Sequence, residues 1–121
     1  MTATELQERL ISFAAMIIEF SNYIKRDKAG LTLIDQMTRS SISSALNYGE
    51  ATGAESPKDF IHKMQLVLKE LKETWVALRI IEKSKLHSNQ ELYTRTLDEC
   101  NQLISIFTKS VTTNKMKIRD S

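Results

Sequence analysis

The sequence predicts an all-α fold: an antiparallel, up-down-up-down four-helix bundle in which residues 1–121 form one domain. Three observations predict it. Only three Gly and one Pro occur in 121 residues, whereas a sandwich or barrel needs turn residues roughly every 8–12 positions. Apolar residues recur at alternating steps of four and three along four stretches, which is the period of a helix face. The links between these stretches, at 28–31, 53–56 and 85–88, are short enough to make consecutive helices antiparallel neighbours.

Helix 1 is expected over 4–28, with Leu6, Leu10, Phe13, Ile17, Phe20 and Ile24 as its stripe. Gly30 just beyond it would supply the left-handed residue that ends many helices. Helix 2, over 31–52, keeps a weaker stripe through Ile34, Met37, Ser41 and Ala45, and Gly53 repeats the terminating device. Helix 3, over 57–85, opens at Ser56-Pro57-Lys58-Asp59. The serine can cap free N–H groups, proline fits the first turn, and the aspartate faces the positive dipole end. Its stripe is Phe60, Met64, Val67, Leu71, Thr74, Leu78 and Ile81. Helix 4, over 89–114, starts at Ser88-Asn89-Gln90-Glu91, which fits a capping box, and continues through Tyr93, Leu97, Cys100, Ile104, Phe107 and Val111.

Composition agrees with a folded chain, at 41% hydrophobic and 26% charged residues. The lone Cys100 rules out an internal disulfide, Glu5 and Glu8 stand where a signal peptide would be basic, and no apolar run approaches the ~18 residues of a membrane span. A cytoplasmic protein with no membrane partner is the expectation. The formal charge is only +2, but residues 1–60 carry 6 basic and 8 acidic side chains while 61–121 carry 11 and 7.

Helix 1 is too apolar for a single core face. Ile11, Ala14, Ala15 and Ile18 lie outside its stripe, and helix 3 similarly adds Ile61, Leu68, Trp75, Val76 and Ile80. Such width implies either a wide core with a few exposed apolar side chains or a self-association surface. The second reading is preferred, with Ile11, Ala14, Ala15 and Ile18 as the interface candidates.

No phosphate loop, nucleophile elbow or zinc-binding helix motif occurs. Of the Glu-x-x-His pairs that a di-iron bundle requires, only Asp59 and His62 have a related spacing, and Asp59 sits at a cap. No catalytic residue, metal or cofactor is assigned. His87 reads as a helix-boundary residue and Cys100 as a buried thiol. Two polar features remain. In helix 2, Arg39, Ser43, Asn47 and Glu50 share one arc beside Ser40 and Ser44, either as a solvated face or as a hydrogen-bonded network between helices or subunits. In helix 3, His62, Gln65, Lys69, Lys72, Arg79 and Lys83 form an outward ridge, with Glu70, Glu73 and Glu82 near enough to neutralise part of it. Alone this is an ordinary solvated face; repeated around a ring it would hold phosphates by charge. Lys115, Lys117 and Arg119 could add a flexible basic tail.

The segment Arg39-Ser-Ser-Ile-Ser43-Ser-Ala-Leu-Asn47-Tyr-Gly-Glu50, followed by Phe60-Ile61 and Leu71-Lys72-Glu73, resembles the bacterial four-helix bundle protein family. That family includes proteins encoded in intervening sequences of 23S ribosomal RNA genes and is similar to the accessory variability protein of diversity-generating retroelements. Arg39, Ser43, Asn47, Glu50 and Glu73 fit the family pattern, while Ser40, Ser41, Ser44, Ala45 and Ala51 depart from it, so the family's bend in helix 2 is not carried over. The resemblance implies a homopentameric bundle without catalytic activity. For the retroelement branch it also implies binding to a reverse transcriptase and to RNA or DNA. The functional expectation is thus a non-enzymatic homo-oligomeric scaffold that binds nucleic acid, or a nucleic-acid enzyme, through His62, Lys69, Lys72, Arg79 and Lys83. The alternative is a protein-binding adaptor. Arg39, Ser43, Asn47, Glu50 and Glu73 are expected to form one satisfied polar network.

Overall fold

The computed structural model describes residues 1–120. Four helices follow one another: α1 Ala3–Ser21, α2 Lys28–Ala51, α3 Pro57–Lys83 and α4 Gln90–Arg119. Each start is capped by a short polar side chain. Thr2 Oγ1 accepts from the N–H of Glu5 at 3.1 Å, Asp27 Oδ1 from Gly30 at 2.8 Å, Ser56 Oγ from Asp59 at 3.1 Å and Asn89 Oδ1 from Leu92 at 3.0 Å.

The Ser56-Pro57 start of α3 stands as the sequence predicts, but other boundaries move. Helix α1 stops at Ser21, well short of Lys28. Ile24 still enters the core, carried there by a tight turn, and pairs with His87 as an isolated antiparallel bridge, while the Lys25 N–H donates to the Leu86 carbonyl at 2.8 Å. Neither Gly30 nor Gly53 adopts a left-handed conformation. Gly30 lies inside the first turn of α2, where its lack of a side chain serves close approach: a Cβ there would sit 1.6 Å from the Lys25 carbonyl oxygen. The left-handed terminator is instead Lys85, with φ 54°, at the end of α3. The Leu86 N–H reaches back to the Ile81 carbonyl and the Lys85 N–H to the Glu82 carbonyl, both at 3.1 Å, which is the Schellman pattern with lysine in glycine's usual place. At α4, Asn89 rather than Ser88 is the cap, because the Ser88 hydroxyl and N–H both turn to the Tyr23 carbonyl, at 3.4 and 3.0 Å. Helix α4 continues to Arg119, so Lys115, Lys117 and Arg119 belong to a helix and not to a free tail.

Helices adjacent in sequence pack side by side, α4 closes onto α1, and α1 and α3 lie on one diagonal with α2 and α4 on the other. Leu10, Phe13, Ile17, Phe20, Met37, Met64, Leu71, Leu78, Leu103 and Phe107 are sealed from solvent in one core. Burying each such side chain contributes about 1.5–3 kcal/mol. The closest pair is α2 and α3, whose contact is built on small residues. Ser40, Ser41 and Ser44 are fully buried. Ser41 and Ser44 donate back to the carbonyls of Thr38 and Ser41 at 3.2 and 2.7 Å. The Ser40 and Thr74 hydroxyls share a hydrogen bond of 2.6 Å across the two helices, with the Glu70 carbonyl 2.9 Å from Thr74 Oγ1. The serine run is therefore an interhelical seam. Among the described residues, no helix is long and apolar enough to cross a membrane.

Candidate nucleic-acid interface

The expected five-residue polar network separates into three local arrangements, and the buried partner of Arg39, Glu70, is not among the five. Arg39 Nη1 donates to Glu70 Oε2 at 3.0 Å and Nη2 to Glu73 Oε2 at 2.8 Å, clamping α2 to α3. Glu70 is only 8% exposed and is the one buried carboxylate among the described residues. The hydrogen bond to Glu73, offset by some desolvation, and the charge of Glu70 push Arg39 above its already high range, so it stays cationic. Asn47 turns back on its own helix, donating to the carbonyl and hydroxyl of Ser43 at 2.9 and 3.1 Å. Glu50 is apart from both, exposed, and 3.5 Å from Lys63.

This arrangement changes the charge balance along α3. Glu70 and Glu73 are drawn towards Arg39, and Glu82 accepts from His87 Nε2 at 3.1 Å, so none of the three pairs with the ridge. Lys69, Lys72 and Lys83 are exposed with no carboxylate in ion-pair range among the described residues. Arg79 lies over the Trp75 ring, 5.7 Å from its centroid, and His62 is exposed near the α3 N-terminus. Sequence spacing alone places Glu70 beside the ridge; what removes it is Arg39 on another helix.

His87 does more than end a helix. Its ring is almost wholly buried, stacked on Tyr93 at 4.9 Å and tilted against Phe20 at 5.4 Å. Nδ1 accepts the Asn89 N–H at 3.2 Å, which leaves the proton on Nε2 to be donated to Glu82. Tyr93 OH is buried with no hydrogen-bond partner. Cys100 is sealed in the core with its thiol 3.5 Å from the Leu71 carbonyl, and burial, followed by the charge of Glu99, pushes it up to about 12. It is an inert core residue. Asp59 accepts from the Glu55 N–H at 3.4 Å as part of the α3 cap.

Of the interface candidates, Ile11, Ala15 and Ile18 are exposed on one side of α1, whereas Ala14 is buried against the core and is removed from the set. On α3, Ile61 is buried and Leu68 and Trp75 half-buried, but Val76 and Ile80 stand in solvent.

The described residues thus form a small antiparallel four-helix bundle with a buried serine seam and an unpaired cationic ridge. The chain belongs to the 23S rRNA-intervening sequence protein family, whose pattern matches residues 3–109. It is also similar in structure to a Bacteroides thetaiotaomicron protein of unknown function from the S23 ribosomal protein family, with a TM-score of 0.81 over 93% of this chain and 99% of that one. Sequence identity between the two is 22%, and the likeness therefore speaks for the fold. No curated protein matches the chain in sequence.

Proposed function

We propose that this protein is a non-enzymatic scaffold that assembles with copies of itself and binds nucleic acid, or a nucleic-acid enzyme, along the basic face of α3. The observation that carries this reading is the unpaired state of Lys69, Lys72 and Lys83, whose neighbouring carboxylates are engaged elsewhere. Exposed ammonium groups in a row bind phosphates by releasing counterions and need no base-specific contact. A five-subunit ring, the state the family resemblance implies, would carry 5 × 2 = +10 and repeat the row five times. The family's link to intervening sequences of 23S rRNA supports RNA as the first ligand to try.

The test is fluorescence anisotropy with a structured RNA at low salt, comparing the wild type with a variant in which Lys69, Lys72, Arg79 and Lys83 are all Gln, with oligomeric state measured alongside. The variant is expected to lose most of its affinity and to show a flatter salt dependence. Equal affinities, or no binding by the wild type, would overturn the nucleic-acid reading and leave the protein-binding adaptor.

A further inference from the structure

Two apolar patches on the bundle surface, one on α1 and α2 and one along α3, are left partly in solvent. The first spans α1 and α2. Gln7 Nε2 donates to the Ala45 carbonyl at 3.0 Å, tying the two helices together on this side. Ile11 and Ile18 on α1 are 47% and 49% exposed, and Ile42 and Leu46 on α2 are 38% and 65% exposed. The second is a shallow groove along the outside of α3, where Val76 and Ile80, 48% and 45% exposed, lie beside Leu33 and Leu68.

The charges around the two patches are opposite. Glu8 and Glu19 lie on the same side of α1 as Ala15, and Asp35 is two helical turns before Ile42 on α2. All three are exposed and have no cation in ion-pair range among the described residues. The groove is edged by Lys69, Lys72 and Lys115, likewise exposed and unpaired. Glu73 also lines the groove, but it is engaged by Arg39 at 2.8 Å, which leaves the three lysines in excess there.

We infer that the acidic-rimmed α1–α2 patch of one copy docks into the lysine-edged α3 groove of the next. The occupant is a second copy of this chain because the chain itself carries the complementary surface, in apolar content and in charge. Such a contact joins unlike faces. Each subunit keeps one face of each kind free for another neighbour, so the same contact can repeat from copy to copy. This inference rests on the self-assembly half of the proposed function and divides the α3 ridge. Lys69 and Lys72 meet the neighbour's carboxylates, while Lys83, Arg79 and His62 lie outside the groove and stay open to a polyanion.

Unlike faces make a prediction that like faces cannot. Ile18→Glu disables only the α1–α2 patch and Val76→Glu only the groove, and because both side chains are about half exposed, helicity and thermal stability should hold. Each variant alone is expected to sediment as a monomer. Mixed one to one, they should form a heterodimer that grows no further, since one intact patch meets one intact groove. In a second measurement, Asp35→Lys with Glu8→Lys, and separately Lys69→Glu with Lys72→Glu, should each weaken assembly by about tenfold or more, and the two sets mixed should recover it. Retention of the wild-type oligomer by Val76→Glu would overturn the pairing of unlike faces while leaving self-assembly standing. So would two monomeric variants that ignore each other. A wild type that stays monomeric throughout the micromolar range would overturn self-assembly itself.

Discussion

Arg39 on α2 and Glu70 on α3 meet at 3.0 Å with opposite surroundings: the Glu70 side chain is 10% exposed and that of Arg39 53%. The carboxylate has been taken out of water and the guanidinium has not. Removing Arg39 strands a desolvated charge, whereas removing Glu70 leaves a cation that still has Glu73 and solvent.

Arg39→Ala is therefore expected to destabilise by about 1–3 kcal/mol, between the ~0–1 of an exposed pair and the ~3–5 of a fully buried one. Glu50→Ala, at an exposed carboxylate 3.5 Å from Lys63, should change stability by less than about 0.5 kcal/mol. Urea denaturation of both variants checks the contrast. A large loss at Glu50 with none at Arg39 would mean that the buried Glu70 has another source of compensation.

Gly30→Ala should be far worse than an ordinary glycine-to-alanine change in a helix, which favours alanine by about 0.8–1.0 kcal/mol. The new Cβ would overlap the Lys25 carbonyl, and Lys25 is held in place by its own hydrogen bond to Leu86 at 2.8 Å. Relief requires opening the strap that joins α1 and α2 to the α3–α4 link. A loss of at least ~2 kcal/mol is expected, with faster amide exchange at Lys25 and Ser88 as the local signature. Unchanged stability would show that the strap shifts freely.

These residues also show what could be read from the sequence and what could not. The apolar stripes located all four helices because burial imposes a helical period whichever partner does the burying. The Ser56-Pro57 start was legible because capping is decided within four residues. Gly30 and Lys85 were not: glycine tolerates both a left-handed turn and a close approach, and only the strap at Lys25 selects the second. Lysine at the left-handed position carries no local signal at all. The α3 ridge could be drawn from spacing, but its lack of counter-charges could not, since that depends on Arg39 reaching across from α2.

Tyr93→Phe removes a buried hydroxyl that has no partner and keeps the ring that stacks on His87. An unsatisfied polar atom costs free energy in the folded state, so the variant should be as stable as the wild type or more stable by about 1 kcal/mol. That corresponds to a Tm rise of roughly 3–6 °C for a chain of this size. A drop in Tm would indicate that the hydroxyl finds a partner, such as an internal water.

Stability should fall in alkali, and Cys100 sets where the fall begins. Burial raises its thiol from 9.0 in the unfolded chain to about 12 in the fold. A group whose pKa is raised on folding contributes stability that is fully present below the unfolded value and is lost as pH climbs through the window to the folded value. Here that window runs from about 9 to about 12, and the loss from this one thiol is on the order of 4 kcal/mol. Tyr48 and Tyr93, both raised by burial, steepen the decline above their ordinary range. Denaturation midpoints measured between pH 8 and about 11 should fall more steeply for the wild type than for Cys100→Ala, which begins less stable but lacks the thiol. Parallel slopes would remove Cys100 as the cause.

The α3 ridge offers a prediction in which salt does the discriminating. If Lys83, Arg79 and His62 face the polyanion while Lys69 and Lys72 lie in the subunit interface, two charge-removal pairs should behave differently. Arg79→Gln with Lys83→Gln should leave the oligomer intact and lower RNA affinity, reducing the slope of log affinity against log salt by about 0.7–0.9 for each phosphate that the bound subunit no longer neutralises. Lys69→Gln with Lys72→Gln should weaken assembly first and lower RNA affinity only as subunits separate, because a lone subunit offers one short row where a ring offers several. Sedimentation and anisotropy on the same samples separate these effects. If the Lys69 and Lys72 pair instead flattened the salt dependence while the oligomer persisted, those two lysines would belong to the nucleic-acid face, and the docking surface on α3 would have to be confined to Val76, Ile80 and Leu33.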